Sequence, residues 1–194
     1  MKRTANGNAE GRKSAIAMLK ADHKKVKQLF DQFEEAKDRR TKKKIVQSAL
    51  EELSVHATLE EEIFYPSVRE EIDDEDVMNE ADEEHHVAKV LIAELEQMDG
   101  SESHYDAKFT VLAENVRHHI KEEEGEMLPK AQETDIDFDV LGEKMFRHKN
   151  RLMSDGVSGT AEAAMVSKSR GRGDSPAAAA KRTMKARKRV SGKK

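Results

Sequence analysis

Four of the chain's eight histidines stand in two matching contexts. In HATLEEEIFYP, residues 56–66, and again in HIKEEEGEMLP, residues 119–129, a His is followed four residues later by a Glu, five later by a second Glu and ten later by a Pro. An acidic residue followed by His lies upstream of each: Asp22-His23 precedes His56, and Glu84-His85 precedes His119. Two copies of one pattern mean an internal repeat. Imidazole and carboxylate are side chains that hold first-row divalent metals. At a spacing of i, i+4 on a helix, His and Glu share one face a turn apart, so both reach one metal or two adjacent metals.

The elements that must carry these groups follow from hydrophobic spacing. Ile16, Leu19, His23, Val26, Phe30 and Phe33 alternate at three and four residues, one stripe of a helix over about 14–38. Val46, Ala49, Leu53, His56, Glu60 and Ile63 repeat the alternation over about 40–67, where Pro66 should kink or stop the helix. Met78, Ala81, His85, Ala88, Ile92 and Leu95 mark a third helix over about 75–98, ended by Asp99-Gly100. Phe109, Leu112, Val116, His119, Glu123 and Met127 mark a fourth over about 101–130, locally weakened at Gly125. A shorter fifth segment, 137–153, brings Phe138, Leu141, Met145, Phe146 and Leu152 to the outside or end of the rest. No alternating strand pattern occurs. The expected fold is all-α, an antiparallel up-down-up-down four-helix bundle with a short fifth helix and disordered termini. Residues 1–12 read as a disordered lead-in, 13–153 as the bundle with its fifth helix, and 154–194 as a disordered basic tail.

Six polar residues therefore lie on inward stripes: His23, His56, Glu60, His85, His119 and Glu123. Antiparallel pairing brings His23 and His56 to similar depth, and His85 and His119 repeat the relation. Two buried carboxylates without a compensating charge cost several kcal/mol, and no Lys or Arg lies on those stripes. A pair of divalent cations supplies the charge. Four imidazoles and two carboxylates suit iron, manganese or zinc and disfavour copper(I), which prefers sulfur.

Composition narrows the alternatives. With no cysteine, thiolate nucleophiles, Cys-ligated clusters and disulfides are excluded. Neither a signal-peptide core nor a membrane-length apolar run occurs, so a soluble cytoplasmic protein without membrane contact is expected. The net charge of −4 hides a split: residues 167–194 hold eleven Lys and Arg against one acid, a balance of +10, which leaves −14 for residues 1–166.

The string DH … HATLEEEIFYP … EEHHVAKVLIAEL … HIKEEEGEMLP resembles the hemerythrin-like HHE cation-binding domains over about residues 14–130. The resemblance implies a four-helix bundle around a non-haem di-iron centre that binds or reacts with O2, NO or peroxide. Iron is implied ahead of manganese or zinc. Ligand roles carry over to His23, His56, Glu60, His85, His119 and Glu123, with the two carboxylates as bridges between the irons. One departure matters. Oxygen-carrying hemerythrins have a second His four residues after the third-helix His, where this chain has Lys89. His86 points about 100° away and is a poor substitute. One iron is thus left with an open position, which favours sensing, redox chemistry or iron handling over oxygen carriage. Turnover of peroxide or NO would also need a proton source.

The remaining polar groups have plainer readings. Glu61 and Glu124 rotate off the inner stripe and read as solvent-facing, with support of the ligand histidines as the alternative. Tyr65 reads as core packing beside Phe64, with a place near the metals as the alternative. His86, His104, His118 and His148 read as surface histidines. The basic segment 167–194 suits non-specific nucleic-acid contact, and without interleaved aromatics no base stacking is expected. The alternative function is accordingly a metal- or oxygen-responsive module that contacts nucleic acid through its C-terminal segment.

Overall fold

The structure, a computed structural model, describes residues 14–72, 74–157 and 161–172. In chain order the helices are α1 (Ala15–Glu35), α2 (Arg39–Leu59), α3 (Tyr65–Arg69), α4 (Glu75–Glu96), α5 (Tyr105–Glu122), α6 (Leu128–Gln132), α7 (Phe138–Asp155) and α8 (Ala161–Arg172). Side-chain caps start four of them. Ser14, Asp38, Asp74 and Asp137 each accept a backbone N–H of the first turn, satisfying donors that a helix end leaves without a partner. Between α4 and α5 the chain turns at Gly100, whose φ of 85° suits glycine, and Glu102 accepts from the Asp99 and Gly100 N–H groups. α7 ends at Gly156, with φ 81°.

The four long helices pack as the spacing predicts: α1 on α2, α2 on α4, α4 on α5, and α5 back on α1. Every stripe residue named above for these helices and their extensions is buried except Ala88, which is partly buried. The described residues contain no strand. Two apolar clusters result. One gathers Leu19, Leu59, Phe64, Met78, Leu128 and Met145 near the start of α1 and the end of α2. The other gathers Phe30, Phe33, Leu53, Ile92, Phe109 and Leu112 toward the opposite end of the bundle. The histidines lie between them. Within the second cluster Phe109 packs against Phe30 and Phe33, with ring centroids 5.7 and 4.5 Å away.

Three features depart from the expected fold. First, α2 and α5 do not run on as regular helices. Each widens into one π turn, Glu60–Phe64 and Glu123–Met127, before the short helices α3 and α6. Tyr65 N–H reaches back five residues to Glu60 O, and Leu128 N–H to Glu123 O. In each copy the proline is the second residue after the turn, at 66 and 129. Its ring would collide with the carbonyl four residues earlier, and the wider turn gives it room. Secondly, residues 161–172, assigned above to a disordered tail, form α8, which packs on α4 with Glu162 and Val166 buried. Apolar contact by Val166 and pairing of Glu162 with His86 offset the ordering cost that composition alone suggested would go unmet. The lead-in and residues 173–194 lie outside the described residues. Thirdly, α7 does pack across α1, α2 and the first π turn, through Leu141 and Met145, but Phe146 faces outward.

No helix among the described residues is long and apolar enough to cross a membrane.

Candidate metal centre

The six inward residues meet in one layer. His23, His56, Glu60, His85, His119 and Glu123 are each 0–6% exposed, too little for water to solvate charges there. Their ligand atoms sort into two groups. One potential ligand atom from each of His23, His56, Glu60 and Glu123 lies within 4.8 Å of the others, and the same holds for Glu60, His85 and His119. Glu60 belongs to both. Its Oε2 is 3.1 Å from His56 Nε2 and 3.3 Å from His85 Nε2. Glu123 Oε2 lies 3.1 Å from His23 Nε2 and 3.7 Å from His119 Nε2.

Each outward ring nitrogen faces a carboxylate, three of them at hydrogen-bond distance. His23 Nδ1 is 2.9 Å from Glu124, His85 Nδ1 is 3.0 Å from Glu61, His119 Nδ1 is 2.9 Å from Glu84, and His56 Nδ1 faces Asp22 at 3.8 Å. In the neutral ring that a metal binds, a carboxylate on Nδ1 fixes ring orientation and keeps the proton on Nδ1, so that the Nε2 lone pair points inward. Glu61 and Glu124 take the second of their two readings: each is partly exposed and reaches across the bundle to the histidine of the other half. The acid before each first histidine, Asp22 or Glu84, faces the second histidine of its own half. The duplicated pattern is thus a spatial two-fold arrangement. It extends to Lys27 and Lys89, which hold Glu124 and Glu61 at 3.5 and 3.0 Å. Lys89, standing where an oxygen carrier would have histidine, orients the partner of His85. His86 points away to Glu162, 3.2 Å off.

Tyr65, read first as core packing with a place near the metals as the alternative, joins the layer. Its hydroxyl donates to Glu123 Oε1 at 3.1 Å and lies 3.2 and 3.4 Å from His85 Nε2 and His119 Nε2. The π turn contributes to that placement, because an extra residue in the turn rotates everything after Glu60 around the helix axis. Only the immediate proximity of Tyr65 to Glu60 hinted at it in sequence. His148 is also not a free surface group: it pairs with Glu62 at 2.8 Å, while Lys149 holds Asp22 at 2.5 Å, so α7 braces the layer. His118 is exposed, as read.

The electrostatics of the metal-free layer are those of opposed charges in a dry place. Burial by itself would lower His56, but Glu60 and Asp22 outweigh it and raise the imidazole to about 10. Burial likewise opposes His85, and Glu60 and Glu61 raise it to about 9. Burial would raise Glu60, yet His56 and His85 hold it well below the usual carboxylate range. Burial, followed by the nearby Glu123 and Glu60 charges, pushes the Tyr65 phenol well above its ordinary value, so it keeps its proton.

Whether a metal pair fits can be read from buried atoms. His23 Nε2, His56 Nε2, both Glu60 oxygens and Glu123 Oε2 are buried without a hydrogen-bond partner. Such atoms are rare in folded proteins and costly in a core. Cations among them would satisfy all five at once, and the nitrogen and oxygen donors match the expected metals. The residues fit.

Comparison with known proteins agrees. The sequence model of the Hemerythrin HHE cation binding domain matches residues 14–131. A crystal structure of a hemerythrin HHE cation binding domain-containing protein from Mycobacterium kansasii superposes with a TM-score of 0.62 at 23% identity, covering 78% of this chain and 97% of that one. That likeness concerns the fold. No curated protein matches the chain.

Proposed function

The chain belongs to the hemerythrin HHE cation-binding family, and on that premise we propose a cytoplasmic non-haem di-iron protein that binds or reacts with O2, NO or peroxide. One observation carries the reading: two buried groups of potential ligands meet at a shared carboxylate, Glu60. When bound there, two irons would supply electrons and a position for a small ligand. His23, His56, Glu60 and Glu123 would hold one, and Glu60, His85 and His119 the other.

The surroundings limit what can reach the pair. A cavity of about 30 Å³ adjoins the four histidines, walled mainly by Val26, Leu53, Ala88, Ile92, Val116 and Ile120. That volume suits molecules of the size of O2, NO, peroxide or a water. On the opposite side Tyr65 presents a protonated phenol, held on Glu123 Oε1 at 3.1 Å. Because its pKa is raised, the phenol serves there as a hydrogen-bond donor rather than as an acid. With Lys89 in place of a further histidine ligand, these features support a small-molecule redox or sensing site more than an oxygen carrier.

The test is anaerobic loading of the purified chain with Fe(II), followed by metal analysis and exposure to air. About two irons per chain are expected, with near-ultraviolet charge-transfer absorption developing in air. A chain that retains no transition metal refutes the proposal.

A further inference from the structure

The internal repeat provides a control within one molecule. Superimposing the halves through His23 with His85 and His56 with His119 equates Met18 with Glu80, Val55 with His118, Leu59 with Glu122 and Ile63 with Glu126. In the first half these positions are apolar, buried and packed in the cluster that α7 closes. In the second half all four are titratable. The repeat pairs the ligand residues, but the two flanks are opposite in chemistry.

The second flank is also hollow. Between α4 and α5 lies a cavity of about 50 Å³, lined by Glu80, Glu84, Glu122 and Glu126 and ending on His119 and Glu123. Glu123 is 1% exposed, and its Oε2 is one of the buried oxygens without a hydrogen-bond partner. At the outer side, Glu84, His118 and Glu122 bring ligand atoms within 4.8 Å of one another, with His118 Nε2 3.5 Å from Glu84 and 3.2 Å from Glu122. Glu84 also holds His119 Nδ1 at 2.9 Å, so it touches both the outer group and the inner layer. On the equivalent flank Asp22 is capped by Lys149 from α7. Lys130, one turn beyond Glu126, pairs with Asp74 and Glu126 at 2.6 and 2.8 Å.

We infer that this flank is the loading route for divalent cations: Glu84, His118 and Glu122 take a cation from solvent and pass it inward to Glu123 and His119. A low-dielectric cleft lined by one sign of charge raises the local concentration of the opposite ion, and association rates rise by ~10- to 1,000-fold. The inference rests on the resident metal pair proposed above and adds how the metal reaches it.

The experiment compares the full chain with a Glu80→Gln, Glu122→Gln, Glu126→Gln variant. Each is mixed anaerobically with Fe(II), quenched with chelator at set times and assayed for protein-bound iron. The variant should load at least about tenfold more slowly and reach the same final iron content, and added salt should slow the wild type toward the variant. A control carrying Glu35→Gln, Glu51→Gln and Glu143→Gln should load at the wild-type rate. Equal rates for the triple variant and wild type at normal final content overturn the route alone. A wild-type chain that takes up no metal overturns the route and the metal reading together.

Discussion

Metal loading should release protons in an amount set by two residues. In the metal-free chain His56 and His85 are raised to about 10 and about 9, so near pH 7 both imidazoles are protonated. A metal takes the lone pair that each proton occupies. Removing the protons at pH 7 costs roughly 4 kcal/mol at His56 and roughly 3 kcal/mol at His85, at 1.36 kcal/mol per pKa unit. Loading with Zn(II), which avoids oxidation, should therefore release about two protons from this pair near pH 7. Its contribution to the apparent affinity should rise roughly 100-fold per pH unit up to pH 9, about tenfold per unit from 9 to 10, and then level. Calorimetry in buffers of different ionisation enthalpy measures the protons, and competition with a chelator measures the affinity. The sign for folding is opposite. Because both values are raised, their stabilisation of the metal-free fold is complete below about pH 6.5 and is lost as pH rises through about 9 and 10. Metal-free protein should melt lower at pH 10 than at pH 7. Loading without proton release at pH 7 would refute the argument, since it would mean that the carboxylates do not hold protons on these rings.

Three further expectations follow from particular residues. Glu124→Ala removes the carboxylate on His23 Nδ1 and should weaken metal binding about 10- to 100-fold in a chelator competition, as should Glu61→Ala through His85; unchanged affinity would return both residues to the solvent-facing role. Gly125 lies in the second π turn, and an added Cβ would meet nothing within 4 Å, so Gly125→Ala should stabilise by about 0.4–1 kcal/mol, a gain of about 1–4 °C in Tm; a lower Tm would show that the π turn needs glycine. Removing residues 173–194 should abolish any salt-sensitive retention on DNA, and equal retention by the shortened chain would dismiss the basic segment as a nucleic-acid contact.

Much of the site was legible because helical periodicity and the donor chemistry are both local properties. A three-four alternation with His or Glu substituted for Leu names an inward face, and the repeated string pairs those positions without reference to the rest of the chain. His23, His56, Glu60, His85, His119 and Glu123 were all found that way. The misses share a cause. Glu61 and Glu124 sit off the stripe on their own helices, yet each lies beside a histidine of the other half, a relation that spans 24 residues in one case and 101 in the other. Tyr65 was read as packing because the count assumed a continuous α-helix, and the π turn shifts the register at the residue before it. α8 was hidden by composition: its order rests on one buried valine and on Glu162 beside His86, contacts with a helix about 75 residues earlier.

The sequence by itself determined the all-helical class, the inward faces and the duplicated donor set, because side-chain direction along a helix depends only on spacing. Tertiary structure decided the sharing of Glu60, the carboxylate facing each of the four layer histidines, the phenol beside them and the contrast between a flank sealed by α7 and one lined with glutamates. Those depend on which helices lie side by side. In a buried layer the neighbours, rather than the residue's own helix, set charge, hydrogen bonding and access.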